Sequence, residues 1–210
     1  MKEATLREDI CEIGRSIFDR GLTHGSTGNI SARCADGWLL TPTGSNLGRL
    51  DPARLSKLDW NGKHVSGDAP SRESFLHLAM YQERPASGAV VHLHSLHAVA
   101  VSCLGDVNPA DVFPPITAYA VMQVGKLALA PYYPPGDASL AEAVRKLATE
   151  HHAILLANHG PVVAGTSLEA ALNAIEELEQ TAHLMLLLQG RPTRLLTAQQ
   201  VAELNQRFPS

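Results

Sequence analysis

The stretch G-A-V-V-H-L-H-S-L-H-A-V-A-V at residues 88–101 carries three histidines in an otherwise almost wholly apolar run. An imidazole buried in such a run needs a partner, because an unpartnered buried polar group is costly. His92 and His94 are two residues apart, and in a strand residues i and i+2 project from the same face. This spacing is a metal-ligand arrangement. His97 breaks the register, and we expect it to be a hydrogen-bonded supporting residue.

A third metal ligand is expected at His159, which ends the apolar strand pattern A-I-L-L-A-N-H-G. A catalytic divalent ion normally takes three protein ligands and keeps one position open. The glycine after His159 permits a close approach of the backbone. The pair His151-His152 precedes the strand and is expected on the surface, and His183 lies in a long helical pattern and is expected to be structural.

The tripeptide S-R-E at residues 71–73 opens a predicted helix, which we expect Ser71 to cap. A helix N-terminus presents free amide groups and a positive dipole end, which favour anions. Arg72 adds a positive charge, and Glu73 could serve as a general acid or base or as an extra metal ligand. The alternative is an ordinary serine cap with a glutamate in the first turn.

Two loops of small residues could bind a phosphate: T-H-G-S-T-G-N-I-S at 23–31 and T-P-T-G-S-N at 41–46. Such loops offer backbone N–H groups and hydroxyls to an anion. Neither is a Walker loop, because G-x-x-x-x-G-K-[ST] is absent from the sequence. Taken one at a time, both loops are equally typical of ordinary turns.

The elements that must position these residues form a mixed α/β pattern. Helical periodicity predicts helices at residues 4–20, 70–84, 139–150, 166–190 and 197–208. Strands or hairpins are predicted at 28–45, 55–66 (around Asn61-Gly62), 89–101 (the second half turning into a helix), 112–133 and 153–160. The hairpins interrupt any strict βαβ repeat, which disfavours a dinucleotide-binding fold.

Length and composition predict one domain spanning residues 1–210. The net charge of −4 and the lack of a basic run argue against a nucleic-acid partner or an anionic membrane surface. The chain has no signal-peptide pattern and no stretch approaching the roughly 18 apolar residues of a membrane span. Three scattered cysteines are typical of reduced thiols, so we expect a cytoplasmic protein. Ten histidines hint at metal or acid–base chemistry.

In order and spacing, these motifs resemble the class II aldolase/adducin family from about residue 5 to 190. G-S-T-G-N-I-S and T-P-T-G-S are similar to its two phosphate loops, and A-P-S-R-E-S-F-L-H to the segment with the catalytic carboxylate. V-V-H-L-H-S and A-N-H-G are similar to its metal-binding segments. The resemblance implies a three-layer αβα fold with a central, mainly antiparallel sheet, assembled as a homotetramer with active sites between subunits.

The resemblance also assigns roles to individual residues. It implies that Zn²⁺, or another divalent ion, is held by His92, His94 and His159. Glu73 would be the catalytic acid/base that also approaches the metal. The residues implied to bind the phosphate of the substrate are Ser26, Asn29, Thr43, Gly44 and Ser71. In the aldolases a second serine often precedes the glutamate, whereas this chain has Arg72 at that position. The aldolases also take a tyrosine from a neighbouring subunit; here Ala118 lies near the corresponding position, and Tyr119 follows one residue later.

Arg72, T-A-Y-A-V-M-Q-V-G and A-P-Y-Y-P-P-G-D resemble one decarboxylating branch of the family. The expected substrate is a small phosphorylated sugar acid, whose carboxylate Arg72 could help to bind. Loss of CO₂ from a β-keto acid leaves an enediolate, whose charge a metal ion can stabilise. Retro-aldol cleavage makes the same intermediate.

Three alternatives to the decarboxylase therefore stay open. The main one is a ketose-phosphate aldolase of the fuculose or ribulose phosphate type, and another is a dehydratase of a methylthio-sugar phosphate. A non-catalytic binding domain, as in adducin-like heads, is disfavoured because such a domain has no need of three metal histidines and Glu73.

Overall fold

The computed structural model describes residues 2–134, 136–137 and 139–208, and an eight-stranded sheet lies at its centre. The strands are β1 Asn29–Cys34, β2 Gly37–Leu40, β3 Ser56–Leu58, β4 His64–Ser66, β5 Ala89–His92, β6 Ala128–Ala130, β7 Ala153–Leu156 and β8 Gly160–Gly165. The α-helices are α1 Glu3–Asp19, α2 Ser74–Glu83, α3 Leu96–Ser102, α4 Ser139–Ala148, α5 Leu168–Leu188 and α6 Ala198–Arg207. Two short 3₁₀ helices, Leu47–Arg49 and Pro52–Arg54, connect β2 to β3.

The sheet has the strand order β4-β3-β2-β1-β5-β8-β7-β6. Every neighbouring pair is antiparallel except β6 and β7, which run parallel. The predicted central, mainly antiparallel sheet is thus confirmed. Hairpins connect β1 to β2, β3 to β4 and β7 to β8.

Both faces of the sheet are covered by helices. Successive residues of a strand project to opposite faces, and Val90 and Val91 accordingly belong to two different buried clusters. The cluster of Val91 includes residues of α1, α3 and α5, and the cluster of Val90 includes residues of α2 and α4. Burial on both faces explains why the central strands are continuously apolar. The predicted three-layer αβα architecture is confirmed.

Two local predictions were wrong. Helix α2 begins at Ser74 and not at Ser71, because residues 71–74 form a turn in which Ser74 N–H donates to the Ser71 carbonyl. Where strands were expected over 112–133, the structure has a π-helix at Ala120–Val124 and only the three-residue strand β6. The prolines of this stretch lack the N–H that a sheet ladder needs. Pro135 of the A-P-Y-Y-P-P-G-D motif lies outside the described residues.

Two expectations from composition also have structural counterparts. None of the helices in the described ranges is long and apolar enough to cross a membrane. All three cysteines are free, and burial raises the pKa of the Cys11 thiol to about 11. That thiol is therefore protonated and unreactive near neutral pH.

Candidate active site

Three histidine rings and one carboxylate meet at a single point beside the centre of the sheet. Nε2 of His94 lies 3.1 Å from Nε2 of His92 and 3.0 Å from Nε2 of His159. The carboxylate of Glu73 approaches with Oε1 3.1 Å from the His159 Nε2 and Oε2 3.5 Å from the His92 Nε2. The structure therefore brings together the four residues that the sequence nominated for metal binding and acid–base chemistry.

The cluster forms where the end of β5 meets the turn between β7 and β8. His92 is the last residue of β5, and the chain continues through Leu93 to His94. His159 lies in the turn before β8, and Gly160 follows it with φ of 152°. A Cβ atom on Gly160 would lie only 2.3 Å from the Leu93 carbonyl oxygen. Glycine is thus required for this turn to lie against the segment between the other two histidines.

The ring of His92 is held in one tautomer. It is fully buried, and its Nδ1 donates to the Pro161 carbonyl oxygen at 2.8 Å. The same oxygen accepts the Leu93 N–H at 3.2 Å. Because Nδ1 carries the proton in the neutral ring, the lone pair of Nε2 is left free and faces the cluster.

The charges in the cluster are strongly coupled. Burial alone would raise the pKa of the Glu73 carboxyl, but attraction to His92 and hydrogen bonds with His159, His92 and Asn29 outweigh it and hold that pKa well below its usual range. Burial and the neighbouring histidines together lower the pKa of His94 to about 3. Glu73 is therefore ionised and His94 neutral at neutral pH, which are the states in which both bind metal ions.

This donor set fits a divalent cation. The lone pairs of neutral imidazoles that converge at 3.0–3.1 Å repel one another unless a proton or a cation lies between them. All four ligand atoms of the cluster lie within 4.8 Å of one another. Imidazole nitrogens combined with a carboxylate oxygen are typical ligands of zinc and neighbouring transition metals. The cluster could thus hold a divalent metal ion.

The two small-residue loops lie next to each other and to the segment before Glu73. Asn46 Nδ2 donates to the Gly25 carbonyl at 2.7 Å, which joins the second loop to the first. Thr43 N–H donates to the Ala69 carbonyl at 2.9 Å, which joins the second loop to the chain entering Ser71. The candidate phosphate residues of the loops, Ser26, Thr43 and Gly44, are exposed, and Ser71 is buried.

Asn29, the remaining candidate phosphate residue, has both ends of its side chain engaged. Its Nδ2 donates to Glu73 Oε2 at 2.7 Å, and its Oδ1 accepts from Nε2 of His77 at 2.5 Å. His77 was treated from the sequence as a weak i, i+4 companion of Glu73 on the helix. In the structure it contacts the glutamate only through Asn29. Arg72 is exposed beside Glu73.

The other histidines lie outside the cluster. His97 bonds through Nδ1 to Glu179 Oε1 at 2.8 Å, which agrees with its expected supporting role, and its ring stacks on that of His183 at 4.0 Å between centroids. His152 was expected on the surface, but its side chain is partly buried, with its two ring nitrogens 3.1 and 3.0 Å from the carbonyl oxygens of Ala164 and Val124.

The buried His77 ring predicts a measurable pH dependence of stability. Burial lowers the pKa of His77 to about 3, whereas an unfolded histidine titrates near pH 6.5. Between these pH values the unfolded chain binds a proton at His77 and the folded chain does not. The contribution of His77 to the free energy of unfolding therefore falls by about 1 kcal/mol per pH unit as the pH decreases. Urea unfolding of the metal-free protein at several pH values should show that the free energy of unfolding falls more steeply with decreasing pH for the wild type than for His77→Gln. Parallel curves for the two proteins would contradict this.

Comparisons with known proteins agree with this geometry. The family model described as "Class II Aldolase and Adducin N-terminal domain" matches residues 8–186. The 3-oxo-tetronate 4-phosphate decarboxylase of Escherichia coli K12 is 51% identical over 203 residues, which cover 96% of both chains. The L-fuculose phosphate aldolase of Haemophilus influenzae is 36% identical, over 96% of this chain and 92% of the relative. The crystal structure of YgbL from Escherichia coli superposes with a TM-score of 0.94 at 50% identity, covering 96% of this chain and 98% of YgbL.

Proposed function

The chain belongs to the class II aldolase and adducin family, and we propose that it is a lyase that decarboxylates 3-oxo-tetronate 4-phosphate to dihydroxyacetone phosphate. The observation that carries the proposal is the convergence of the Glu73 carboxylate and three histidine nitrogens within 4.8 Å of one another. Relatives at about half identity over nearly the whole chain bear the decarboxylase name, and the fuculose-phosphate aldolases are more distant.

We further propose that the resident metal is zinc, held by His92, His94 and His159 with Glu73 beside it. Ligands about 2.0–2.1 Å from a tetrahedral zinc ion lie about 3.3 Å from one another. The distances of 3.0–3.5 Å between the ligand atoms of the cluster support this assignment. When bound, the metal supplies a Lewis acid for the negative charge that develops on the oxygens of the substrate.

The residues of the chain divide the remaining work. Ser26, Thr43, Gly44 and Ser71 bind the phosphate, with Asn29 between these loops and the cluster. Loss of CO₂ breaks the bond from the carboxylate carbon to its neighbour and leaves the electron pair there, as the enediolate of dihydroxyacetone phosphate. Glu73 is ionised at rest, so it first takes up a proton from water in the site and then transfers it to that neighbouring carbon, which returns it to the carboxylate and makes it the catalytic acid/base.

The decisive assay offers 3-oxo-tetronate 4-phosphate to the zinc-loaded protein and measures CO₂ and dihydroxyacetone phosphate. We expect the two products in equal amounts. The aldolase alternative predicts instead that L-fuculose 1-phosphate or ribulose phosphate is cleaved to an aldehyde and that no CO₂ appears from the sugar acid. Purified protein without bound zinc or a similar ion would argue against both enzymes.

Arg72 supplies the contact that distinguishes an acid substrate from a neutral sugar phosphate. It is exposed next to Glu73, where a substrate can reach it. For Arg72→Ser we expect KM for the acid substrate to rise by roughly 10- to 100-fold, the worth of a charge-assisted hydrogen bond, with kcat much less affected. Steady-state kinetics check this. The control variant is Arg145→Ser, which removes an exposed arginine on α4. Unchanged KM in Arg72→Ser would show that the carboxylate binds elsewhere.

The assembly and location of the enzyme are also proposals. We propose that residues 1–210 form one domain, that four subunits form a homotetramer with active sites at their interfaces, and that the enzyme is cytoplasmic. Exposed apolar side chains support the assembly: Leu96 is 72% exposed and Tyr119 is 64% exposed in the single chain. Light scattering on the purified protein should give a mass of about four chains, and a monomer would contradict it.

A further inference from the structure

A line of buried polar side chains runs from Tyr81, near the C-terminal end of α2, to Glu73. Tyr81 OH lies 2.9 Å from Ser31 Oγ, and Ser31 Oγ lies 2.6 Å from His77 Nδ1. On the other side of the ring, His77 Nε2 lies 2.5 Å from Asn29 Oδ1, and Asn29 Nδ2 lies 2.7 Å from Glu73 Oε2. Between the line's two ends, Ser31 and His77 are fully buried, and Asn29 is 3% exposed.

The direction of every hydrogen bond in this line follows from the chemistry of its ends. Glu73 is ionised and can only accept, so the NH₂ group of Asn29 must face it. The Asn29 carbonyl oxygen can only accept, so His77 must carry its proton on Nε2. Burial lowers the pKa of His77 and keeps the ring neutral, so Nδ1 accepts from the Ser31 hydroxyl. Ser31 in turn accepts from Tyr81, and all donors therefore point toward Glu73.

The ring of His77 cannot easily turn to another arrangement. It stacks on Trp38 with 11° between the ring planes and 6.3 Å between the centroids. Rotation by 180° would move both nitrogens away from their partners inside a fully buried site, which leaves polar groups unsatisfied. Asn29 has no such lock of its own. Without the donor of His77, its amide could turn and present Oδ1 to the carboxylate, which replaces attraction with repulsion.

We propose that His77 is a positioning residue for Glu73, acting through the amide of Asn29. By donating from Nε2 it fixes the Asn29 side chain in the one orientation that donates to Glu73. The carboxylate is thereby held against the histidine cluster. This inference rests on the proposed function, in which Glu73 transfers the proton. It adds a residue of α2, with no contact to substrate, to the groups that control turnover.

Two amide substitutions separate the two nitrogens of the ring. The amide nitrogen of glutamine reaches about as far as Nε2 of histidine, so His77→Gln can still donate to Asn29. Asparagine reaches only as far as Nδ1, so His77→Asn keeps a partner for Ser31 and loses the donor to Asn29. We expect His77→Asn to lower kcat by roughly 10- to 100-fold, as loss of a partner that orients an active-site ligand does. KM should change little, and His77→Gln should restore most of the rate.

A merely structural role predicts a different pattern. Both variants would then lose activity in step with their melting temperatures, and glutamine would give no rescue. Equal rates for the two variants, whether high or low, would overturn the proposal. Zinc affinity, measured by competition with a chelator, provides a readout without turnover: His77→Asn should bind zinc more weakly than His77→Gln because Glu73 is no longer held beside the metal.

The protonation of the ring can be observed directly. Long-range ¹⁵N spectra of the histidine rings in the full-length protein should show His77 as the neutral Nε2–H tautomer from about pH 5 to about pH 8, the range in which ordinary histidines titrate. An Nδ1–H tautomer, or protonation within that range, would overturn the proposal. Because this measurement uses no substrate, it tests the orientation even if the wild type fails to release CO₂, which would overturn the proposed function alone.

Discussion

Replacing Glu73 by glutamine is expected to reduce kcat for CO₂ and dihydroxyacetone phosphate formation by about 10²- to 10⁴-fold, the usual contribution of a positioned acid or base. Glutamine has the size of the native side chain but cannot transfer a proton. It also cannot supply the negative charge that raises the pKa of the buried His92 ring above the value that burial alone would set. The three histidine nitrogens remain in Glu73→Gln, so zinc should still bind, although more weakly.

Two measurements make this expectation decisive. Zinc content should be determined for the wild type and for Glu73→Gln, so that loss of the proton donor is separated from loss of metal. Glu142→Gln is the matched control, because Glu142 lies exposed on α4 and pairs with Lys146 one turn away. We expect wild-type kcat for this control. If zinc-loaded Glu73→Gln kept more than a tenth of the wild-type kcat, another group would have to protonate the product.

Substituting His159 by alanine is the second change with a large effect. His159 supplies the Nε2 atom that lies closest to both His94 and Glu73. Partners that only orient metal ligands contribute about 10- to 100-fold to metal affinity, so loss of a ligand itself should weaken zinc binding by more than about 100-fold. Activity at limiting zinc should fall in the same proportion. Zinc analysis after dialysis, together with CO₂ release, checks both expectations.

The control for His159→Ala must remove a histidine without touching the cluster. His64 serves this purpose, because it is exposed on the edge strand β4 and its ring bonds to the carbonyl of Ser66 nearby. His64→Ala should keep its zinc and its activity. A stable His159→Ala protein that retained full metal and full turnover would contradict the three-histidine site. Thermal unfolding of both variants shows whether the protein is folded.

The metal cluster was predictable because each of its parts has a local sequence pattern. The i, i+2 spacing of His92 and His94 predicted that the two rings share one side, although β5 ends at His92, and His159 follows an apolar strand and precedes a glycine. The alternating and continuous apolar runs likewise predicted most of the sheet. Only the meeting of distant segments needed more than local pattern. The ordered resemblance to a known family supplied that information.

The remaining features depend on contacts that no local pattern encodes. The Pro161 carbonyl that fixes the tautomer of His92 is a backbone group. Every residue type has this group, so the sequence does not indicate the contact. The bond from His77 to Asn29 joins residues 48 positions apart in the chain. The π-helix at Ala120–Val124 stands where β-propensity alone predicts a strand. Predictions from local sequence fail at such sites because tertiary partners decide them.

The pairing of β1 with β5 has a consequence for redesign of this enzyme. Asn29 lies directly opposite His92 in that ladder, so one register sets the places of both the amide beside Glu73 and a histidine of the cluster. Arg72, by contrast, lies in the turn before α2 and outside every strand. The positions of Asn29 and His92 are therefore set by the sheet, whereas Arg72 lies in a turn, a kind of segment that tolerates substitution better. Libraries that vary Arg72 while keeping Glu73 and the ladder should change substrate preference without loss of the catalytic residues.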